Sequence, residues 1–135
     1  LAHRLNQLDP GGVRFRPLAF MPKSGKYVGE HCEGVQVHLV DAEALEPLRL
    51  GALVLQELRE YEAFRWRRAE EMPWRRPEGA NPAAYEPESG YLLDYLLGST
   101  SLREALEDGA DWASLLEKWR RQAEEFSRGL GEALR

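Results

Sequence analysis

The sequence predicts an α+β domain, in which a small, mostly antiparallel sheet or partial barrel is followed by a helical second half. Between residues 13 and 39 apolar and polar residues alternate with a period of two, which is typical of strands. From Asp41 onward the apolar positions recur about every 3.6 residues, which is typical of helices. The 135 residues, 43% hydrophobic and 30% charged, suit one globular domain with its own core.

The chain is predicted to begin with one helix and one strand. Leu1 to Leu8 has apolar residues at positions 1, 5 and 8, as in the tail of an amphipathic helix, and we expect further chain to precede it in the intact protein. The Asp9-Pro10-Gly11-Gly12 turn ends this helix. Val13 to Phe20 follows as an extended segment with Arg14 and Arg16 on one face.

A loop and a second strand come next. Residues 21–34 are too long for a hairpin turn and are rich in Gly, Lys and Ser, so this loop is a candidate for function. The strand that leads to Asp41 should turn three apolar positions toward a core: Val35, Val37 and Leu39. Gln36 and His38 share its opposite face, an arrangement that suits polar groups presented to a cleft.

The second half is predicted to be mainly helical. Pro47 suits a first helical turn, and an apolar stripe then runs to about Tyr61: Leu48, Gly51 or Ala52, Leu55 and Leu58. Phe64 to Arg67 is a candidate short strand. Residues 71–90 hold four prolines and are predicted to be an irregular excursion.

Three helices should complete the chain. Tyr91 to Leu97 is stopped by Gly98, and Ser99 or Thr100 caps the next helix, which continues through Asp108. Asp111 caps the last helix. The stripe of that helix is predicted to form core: Trp112, Leu115, Leu116, Trp119, Ala123, Phe126 and Leu130.

Composition excludes several classes of protein. The net charge of −5 argues against a nucleic-acid partner, and the one basic concentration is predicted to be a solvated loop: Arg65, Arg67, Arg68, Arg75 and Arg76. No apolar run reaches the roughly 18 residues of a membrane span. A single cysteine cannot form an internal disulfide.

Several segments together resemble one known family. They are Gly12-Val13-Arg14-Phe15-Arg16-Pro17, Phe20-Met21-Pro22, Tyr27, Gly29, Cys32, Gly34-Val35-Gln36-Val37-His38 and Asp41, then Trp66, Leu93 to Gly98, Leu102 to Leu106 and the helix from Trp119 to Phe126. In order and spacing they resemble the C-terminal half of the NamZ-type exo-β-N-acetylmuramidases, glycoside hydrolases of bacterial cell-wall turnover. The 71–90 excursion departs from this family, in which a shorter connection is usual.

The resemblance implies a two-domain protein. A preceding Rossmann-like domain would carry the catalytic glutamate and share with this domain the cleft for terminal N-acetylmuramic acid, or for a muropeptide. This chain alone would then be inactive. The resemblance implies neither a metal nor a cofactor. The resemblance also implies a location outside the cytoplasm, either periplasmic or secreted.

The candidate ligand contacts are Arg14, Arg16, Tyr27, Gln36, His38 and Asp41. A guanidinium fork matches a carboxylate such as the lactyl group of N-acetylmuramic acid, although Arg14 and Arg16 would equally suit salt bridges to Glu30, Glu33 or Asp41. Gln36 and His38 offer donors and acceptors to sugar hydroxyl and N-acetyl groups, or His38 is a hydrogen-bonded histidine of the sheet. Tyr27, Trp66 and Trp74 either stack on sugar rings or are ordinary core and loop aromatics.

Other arrangements are less favoured by the sequence. Cys32 with His38 lacks an activating neighbour for nucleophilic catalysis, and His31, Cys32 and His38 lack a recognisable metal-ligand spacing. A free-standing hydrolase would need Asp41 together with Glu30 or Glu33. Alternatively the domain is a non-catalytic interaction module, with its exposed patch in the excursion around Trp74 and with the Gln36 and His38 face buried.

Overall fold

The computed structural model describes residues 1–71 and 90–133, and its backbone contacts divide the chain into two compact units, Leu1–Phe64 and Arg65–Arg135. The first unit contains α1 (Ala2–Gln7), β1 (Val13–Phe20), β2 (Cys32–Leu39) and α2 (Pro47–Arg59). The second contains a 3-10 turn (Ala69–Glu71), α3 (Leu92–Leu97), α4 (Ser101–Asp108) and α5 (Trp112–Ala133). The predicted α+β class is confirmed. Most of the predicted excursion, residues 72–89, lies outside the described residues.

The turn between α1 and β1 fixes one end of the sheet. Gly12 has φ 65°, and a Cβ at this position would lie 2.2 Å from the carbonyl oxygen of Asp41, so only glycine fits. The Gly12 carbonyl accepts hydrogen bonds from the backbone N–H groups of Val40 (2.8 Å) and Asp41 (3.0 Å). This close approach aligns the start of β1 with the end of β2.

The two strands pair antiparallel from Val13 opposite Leu39 to Phe20 opposite Cys32. The predicted bounds of β1 are confirmed. The predicted loop was too long, because β2 already begins at Cys32 and the connection is residues 21–31. Both strands are edges of this ribbon, so Pro17 lacks an N–H group at a place where the sheet tolerates it.

Helix α1 and strand β1 enclose the core of the first unit. Leu5, Val13 and Phe15 are buried, and Val35 and Val54 pack against them. The Asn6 side chain holds α1 on the strand through two hydrogen bonds with the backbone of Phe15, donating to its oxygen (2.8 Å) and accepting from its N–H (2.9 Å). The predicted helix at the start of the chain is therefore confirmed.

The prediction that β2 turns its apolar face into the core is wrong for two of its three residues. Val35 is partly buried, but Val37 and Leu39 are 52% and 58% exposed. They share a face with Val13 and Phe15, which are buried because α1 packs against β1. Alternation predicted the face correctly, but burial depends on how far the covering helix reaches.

Helix α2 starts at Pro47 as predicted, but its core-facing side is rotated from the predicted stripe. Ala52, Leu53 and Glu57 are buried, whereas Leu48 is exposed. Glu57 tolerates burial because Arg4 Nε lies 2.6 Å from its Oε2. The geometry of this contact is that of an ion pair rather than of a hydrogen bond. A charged residue thus takes a position that periodicity alone assigns to an apolar one.

The helix ends of the second unit follow the predicted signals. Gly98 ends α3 in the left-handed conformation (φ 66°), and Asp111 accepts hydrogen bonds from the backbone N–H groups of Ala113 (3.1 Å) and Ser114 (3.2 Å) at the start of α5. Of the two predicted caps of α4, Ser99 accepts from the N–H of Ser101 (3.2 Å). The predicted strand at residues 64–67 is wrong, since the one bridge in this part pairs Arg68 with Tyr91.

A buried ion pair joins α3 to α4. Arg103 Nε donates to both carboxylate oxygens of Asp94 (3.1 and 2.9 Å), and its Nη1 donates to Glu107 (2.7 Å). The guanidinium groups of Arg68 and Arg103 both lie over the Tyr91 ring, 3.9 and 4.4 Å from its centroid. Burial lowers the pKa of Arg103, but the hydrogen bond and charge of Asp94 outweigh it and raise that pKa above its ordinary value.

The predicted core stripe of α5 is present but is not buried. Trp112 and Trp119 are half-buried, whereas Phe126 and Leu130 are exposed, the former by 71%. The prediction that this stripe forms core is therefore wrong for the later turns of the helix. Among the residues that the structure describes, no helix has the length and apolar content that crossing a membrane requires.

Candidate functional site

Four of the six predicted ligand contacts lie together on the outer face of the sheet, the face away from α1. The strand register places Arg14 directly opposite His38 and Arg16 directly opposite Gln36. Opposite residues of an antiparallel pair have Cβ atoms only about 5 Å apart, so the four side chains form one compact patch. We call Arg14, Arg16, Gln36 and His38 the polar patch.

The two arginines of the polar patch carry unneutralised charge. Arg16 Nη2 donates to the side-chain oxygen of Gln36 (2.7 Å), and Arg14 Nη1 donates to the carbonyl oxygen of Val13 (3.0 Å). Both are exposed, and neither forms an ion pair with any residue that the structure describes. The predicted alternative, salt bridges to Glu30, Glu33 or Asp41, is not formed.

The histidine and the amide of the patch keep unused hydrogen-bonding groups. His38 is exposed, and its ring contacts no hydrogen-bonding partner within residues 1–71 and 90–133. Gln36 is half-buried and uses its oxygen to accept from Arg16, which leaves its amide group as a donor. The patch therefore presents cations, an imidazole and an amide donor over a short distance, a set suited to an anionic, hydroxyl-rich ligand.

Asp41 has a structural task at one end of the sheet. Its Oδ1 accepts hydrogen bonds from the backbone N–H groups of Glu43 (3.0 Å) and Ala44 (3.2 Å), and so it organises the turn after β2. Asp41 follows the pair of Val13 with Leu39, next to the Arg14 and His38 end of the patch. Its carboxylate is exposed, but one oxygen is already occupied by the backbone.

Tyr27 lies beyond the other end of the sheet. It belongs to the loop 21–31, is 62% exposed and has a positive φ of 60°, which is uncommon for a tyrosine. The loop is closed by hydrogen bonds from Gly29 N–H to Pro22 and from Glu30 N–H to Tyr27. Seven steps along β2 at about 3.3 Å each separate this end from the end near Asp41, so the structure does not bring Tyr27 and Asp41 together.

The same spacing argues against catalysis by Asp41 together with Glu30 or Glu33. Glycosidase carboxyl groups lie about 5 to 10 Å apart. Glu33 pairs with Ala19 near the loop end of the sheet, and Glu30 lies in the loop itself, whereas Asp41 follows the opposite end. Asp41 and Glu33 are eight residues apart along an extended segment, about 25 Å at the usual rise per residue.

Two further arrangements considered from the sequence find no support. Cys32 and His38 are six residues apart on one strand, about 20 Å, which is too far for a nucleophile and its base. Among the described residues, no three His, Cys, Asp or Glu side chains come close enough to hold a metal ion.

Sequence reasoning missed Phe20 as a member of this surface. The register places Leu18 and Phe20 on the same face as Arg14 and Arg16, with Leu18 next to the polar patch and Phe20 about 13 Å beyond Arg16 along β1. Phe20 is 46% exposed, and its ring edge lies 3.9 Å from the position of a Cβ on Gly34. Alternation along β1 could have predicted this, because Phe20 is four residues after Arg16 and so lies on the same face. An exposed ring beside polar groups can stack on the apolar face of a sugar.

The alternative interaction module fails one of its requirements within the described residues. It required a buried Gln36 and His38 face, and His38 is exposed. Its proposed patch around Trp74 lies outside the described residues. Trp66, the other candidate for stacking, is half-buried and belongs to the second unit.

Comparison with known proteins gives three concordant matches. The family model described as "Exo-beta-N-acetylmuramidase NamZ, C-terminal" matches residues 1–134. The peptidoglycan β-N-acetylmuramidase NamZ of Bacillus subtilis (strain 168) is 24% identical over 128 residues, which cover 95% of this chain and 26% of that protein. A crystal structure of a DUF1343 family protein from Bacteroides fragilis NCTC 9343 superposes with a TM-score of 0.60 at 25% identity, covering 94% of this chain and 29% of that one. The chain therefore spans about a quarter of the length of its curated relative.

Proposed function

The chain belongs to the family of C-terminal domains of the exo-β-N-acetylmuramidase NamZ, and from this premise we propose that it forms one wall of the cleft that binds a terminal N-acetylmuramic acid of peptidoglycan. The observation that carries the proposal is the pair of unneutralised guanidinium groups of Arg14 and Arg16 on one face of the sheet. A chain with a net charge of −5 that leaves two adjacent arginines without a carboxylate partner has a surface suited to an anion.

The ligand's own chemistry matches the polar patch group by group. The lactyl carboxylate, which distinguishes N-acetylmuramic acid from other amino sugars, pairs with the arginines. The free amide donor of Gln36 suits the N-acetyl carbonyl, and His38 suits a ring hydroxyl as donor or acceptor. Phe20, about 13 Å beyond Arg16 along β1, would supply a stacking surface for a neighbouring sugar ring of a longer fragment. We place Asp41 and Tyr27 at the two ends of this surface, where they would contact the ligand's periphery.

The reaction itself belongs to another part of the intact protein. Asp41 lies too far from Glu33 and Glu30 along the extended chain for glycosidase spacing, so we assign binding groups rather than the reaction to this chain. We propose that an upstream Rossmann-like domain supplies the catalytic glutamate, and that residues 1–135 form the C-terminal domain of that two-domain protein. In this role the protein would act in peptidoglycan recycling outside the cytoplasm.

A comparison of two sugars tests the assignment of the arginines. The intact protein should bind N-acetylmuramic acid more tightly than N-acetylglucosamine, which lacks the lactyl group. The Arg16→Met variant should lose most of this preference, because a hydrogen-bonded charge pair contributes about 1.5 to 3 kcal/mol. The matched control Arg128→Met changes an exposed arginine of α5 and should retain it. Equal affinity of the unsubstituted protein for the two sugars would contradict the proposal.

The histidine offers an independent test with its own control. His38→Ala should weaken binding of both sugars, because a hydroxyl contact does not depend on the lactyl group. It should leave the free energy of unfolding within about 0.5 kcal/mol, since His38 is exposed and has no partner among the described residues. His3→Ala replaces an exposed histidine of α1 and should change neither quantity. A destabilised His38→Ala protein with unchanged binding would indicate a structural role instead.

A further inference from the structure

An open groove of about 690 Å³ lies at the loop end of the first unit, on the inner face of the sheet. Pro17, Ala19 and Glu33 form its floor, and their parity places them in line with the buried Val13 and Phe15. Pro17 and Ala19 are nevertheless exposed. The inner face of β1 is thus covered by α1 over its first half and open over its second half.

The direction of α1 determines what can fill this groove. Asn6 of α1 is bonded to Phe15, while Leu1 and Ala2 line the groove with Pro17 and Ala19. The start of α1 therefore lies on the side of Pro17 and Ala19, and the end of the helix lies on the side of Phe15. Leu58 and Tyr61, at and just after the end of α2, form a wall of the groove.

The start of α1 has no side-chain cap. Leu1 occupies the cap position without a side-chain hydrogen bond to the helix, and leucine is among the poorest capping residues. The Leu1 carbonyl accepts the first hydrogen bond of the helix from the N–H of Leu5 (3.0 Å). Further helical residues before Leu1 would supply carbonyl acceptors to the first N–H groups.

We propose that the polypeptide immediately preceding Leu1 in the intact protein fills this groove as a continuation of α1. The open part of β1 from Pro17 to Phe20 is about 10 Å long, which about seven helical residues would span. The apolar lining requires an apolar stripe in register with Ala2 and Leu5, and Glu33 on the floor favours a Lys or Arg opposite it. The inference rests on the proposed function only in requiring upstream chain, of which the curated relative has ample length.

Accessibility of a cysteine at Ala19 tests the inference. In a Cys32→Ser background, which removes the one native thiol, Ala19→Cys is placed on the groove floor and Gly51→Cys on the solvent side of α2, where an added Cβ meets nothing within 4 Å. Thiol labelling is followed in residues 1–135, in the same chain preceded by its roughly ten natural upstream residues, and in the intact protein. We expect Ala19→Cys to label at least about tenfold more slowly in both longer forms, and Gly51→Cys to label alike in the first two.

Each other outcome would overturn the inference. Equal labelling of Ala19→Cys in all three forms would mean that the groove stays open. Protection in the intact protein alone would mean that the upstream domain, rather than the segment before Leu1, covers the floor. Protection of residues 1–135 that rises with protein concentration would mean that a second copy occupies the groove. Since no sugar is used, failure here leaves the assignment of the polar patch untouched.

Discussion

Arg14 and Arg16 of the first unit and Arg103 of the second unit have opposite environments. In the first unit, Arg14 and Arg16 are exposed and form no ion pair with the described residues, whereas the unit is held together by Leu5, Val13 and Phe15. In the second unit, Arg103 is buried against Asp94. The same residue type therefore serves as an available binding group in one region and as a structural element in the other.

The difference shows what separates a functional arginine from a structural one. A buried guanidinium must have its charge and its donors satisfied within the fold, and Arg103 finds Asp94, Glu107 and the Tyr91 ring. An exposed guanidinium is solvated and remains able to exchange water for a ligand carboxylate. Burial and pairing, rather than sequence, distinguish the two cases.

The largest expected effect is the loss of the buried ion pair. Arg103→Ala should lower the free energy of unfolding by about 3 to 5 kcal/mol, because it leaves the Asp94 carboxylate buried without its partner. All four tryptophans, at positions 66, 74, 112 and 119, belong to the second unit, so urea unfolding followed by tryptophan fluorescence reports this unit directly.

The control for this experiment is Arg14→Ala, which removes an exposed, unpaired arginine and should change the free energy of unfolding by no more than about 0.5 kcal/mol. The double variant Asp94→Leu with Arg103→Met should recover much of the loss, because two apolar groups replace the pair without an orphaned charge. Equally small losses in the free energy of unfolding for Arg103→Ala and Arg14→Ala would contradict the structural role of Arg103.

The apolar core of the first unit gives the next largest effect. Leu5→Ala should cost about 2 to 5 kcal/mol, since it opens a cavity between α1 and β1. Amide hydrogen exchange of β1 measures this loss in the unit that contains no tryptophan. Leu48→Ala is the matched control, because Leu48 is exposed on α2 and its removal leaves no cavity. Unchanged protection of the β1 amides in Leu5→Ala would show that the first unit is held together by something other than this core.

Local sequence signals predicted the boundaries of the helices well, whereas the burial of individual residues depends on tertiary packing. Pro47, Gly98 and Asp111 mark helix boundaries because each acts on its own backbone. Periodicity assigned Val37 and Leu39 to the core, but it contains no information on where the covering helix stops.

The same limit applies to charged residues and to the site. Asp94, Arg103 and Glu57 are buried, which periodicity cannot predict because it treats charged positions as exposed. The polar patch was predictable from the parity of two neighbouring strands. The hydrogen bonds from the turn backbone to the Asp41 carboxylate were not predictable, since an acidic residue after a strand suits a turn and a ligand equally.

A smaller effect on stability is expected from the titration of Asp111 at the start of α5. Hydrogen bonds from the Ser114 hydroxyl and from the backbone N–H groups of Ser114 and Ala113 lower the pKa of Asp111. A lowered folded-state pKa means that this stabilisation is fully present above the unfolded value of about 3.9 and is lost as pH falls through the folded value.

Asp111→Asn, whose amide oxygen still caps the helix but does not titrate, lacks this charge-dependent stabilisation and should therefore be less stable than the unsubstituted protein at pH 7 and approach its stability below about pH 4. Thermal unfolding of both proteins across this range is the measurement. Glu124→Ala, an exposed change within α5, controls for general charge effects. Parallel melting curves at every pH would show that the cap carries no titrating contribution.

Release of N-acetylmuramic acid from a chromogenic muramide tests most directly whether this domain supplies binding groups while another domain supplies the catalytic groups. Residues 1–135 alone should release no sugar, and the intact protein should release it with a KM that rises in Arg14→Met with Arg16→Met. Turnover by residues 1–135 alone would contradict the assignment of catalysis to an upstream domain. An unchanged KM in the double variant would contradict the assignment of the polar patch to the ligand.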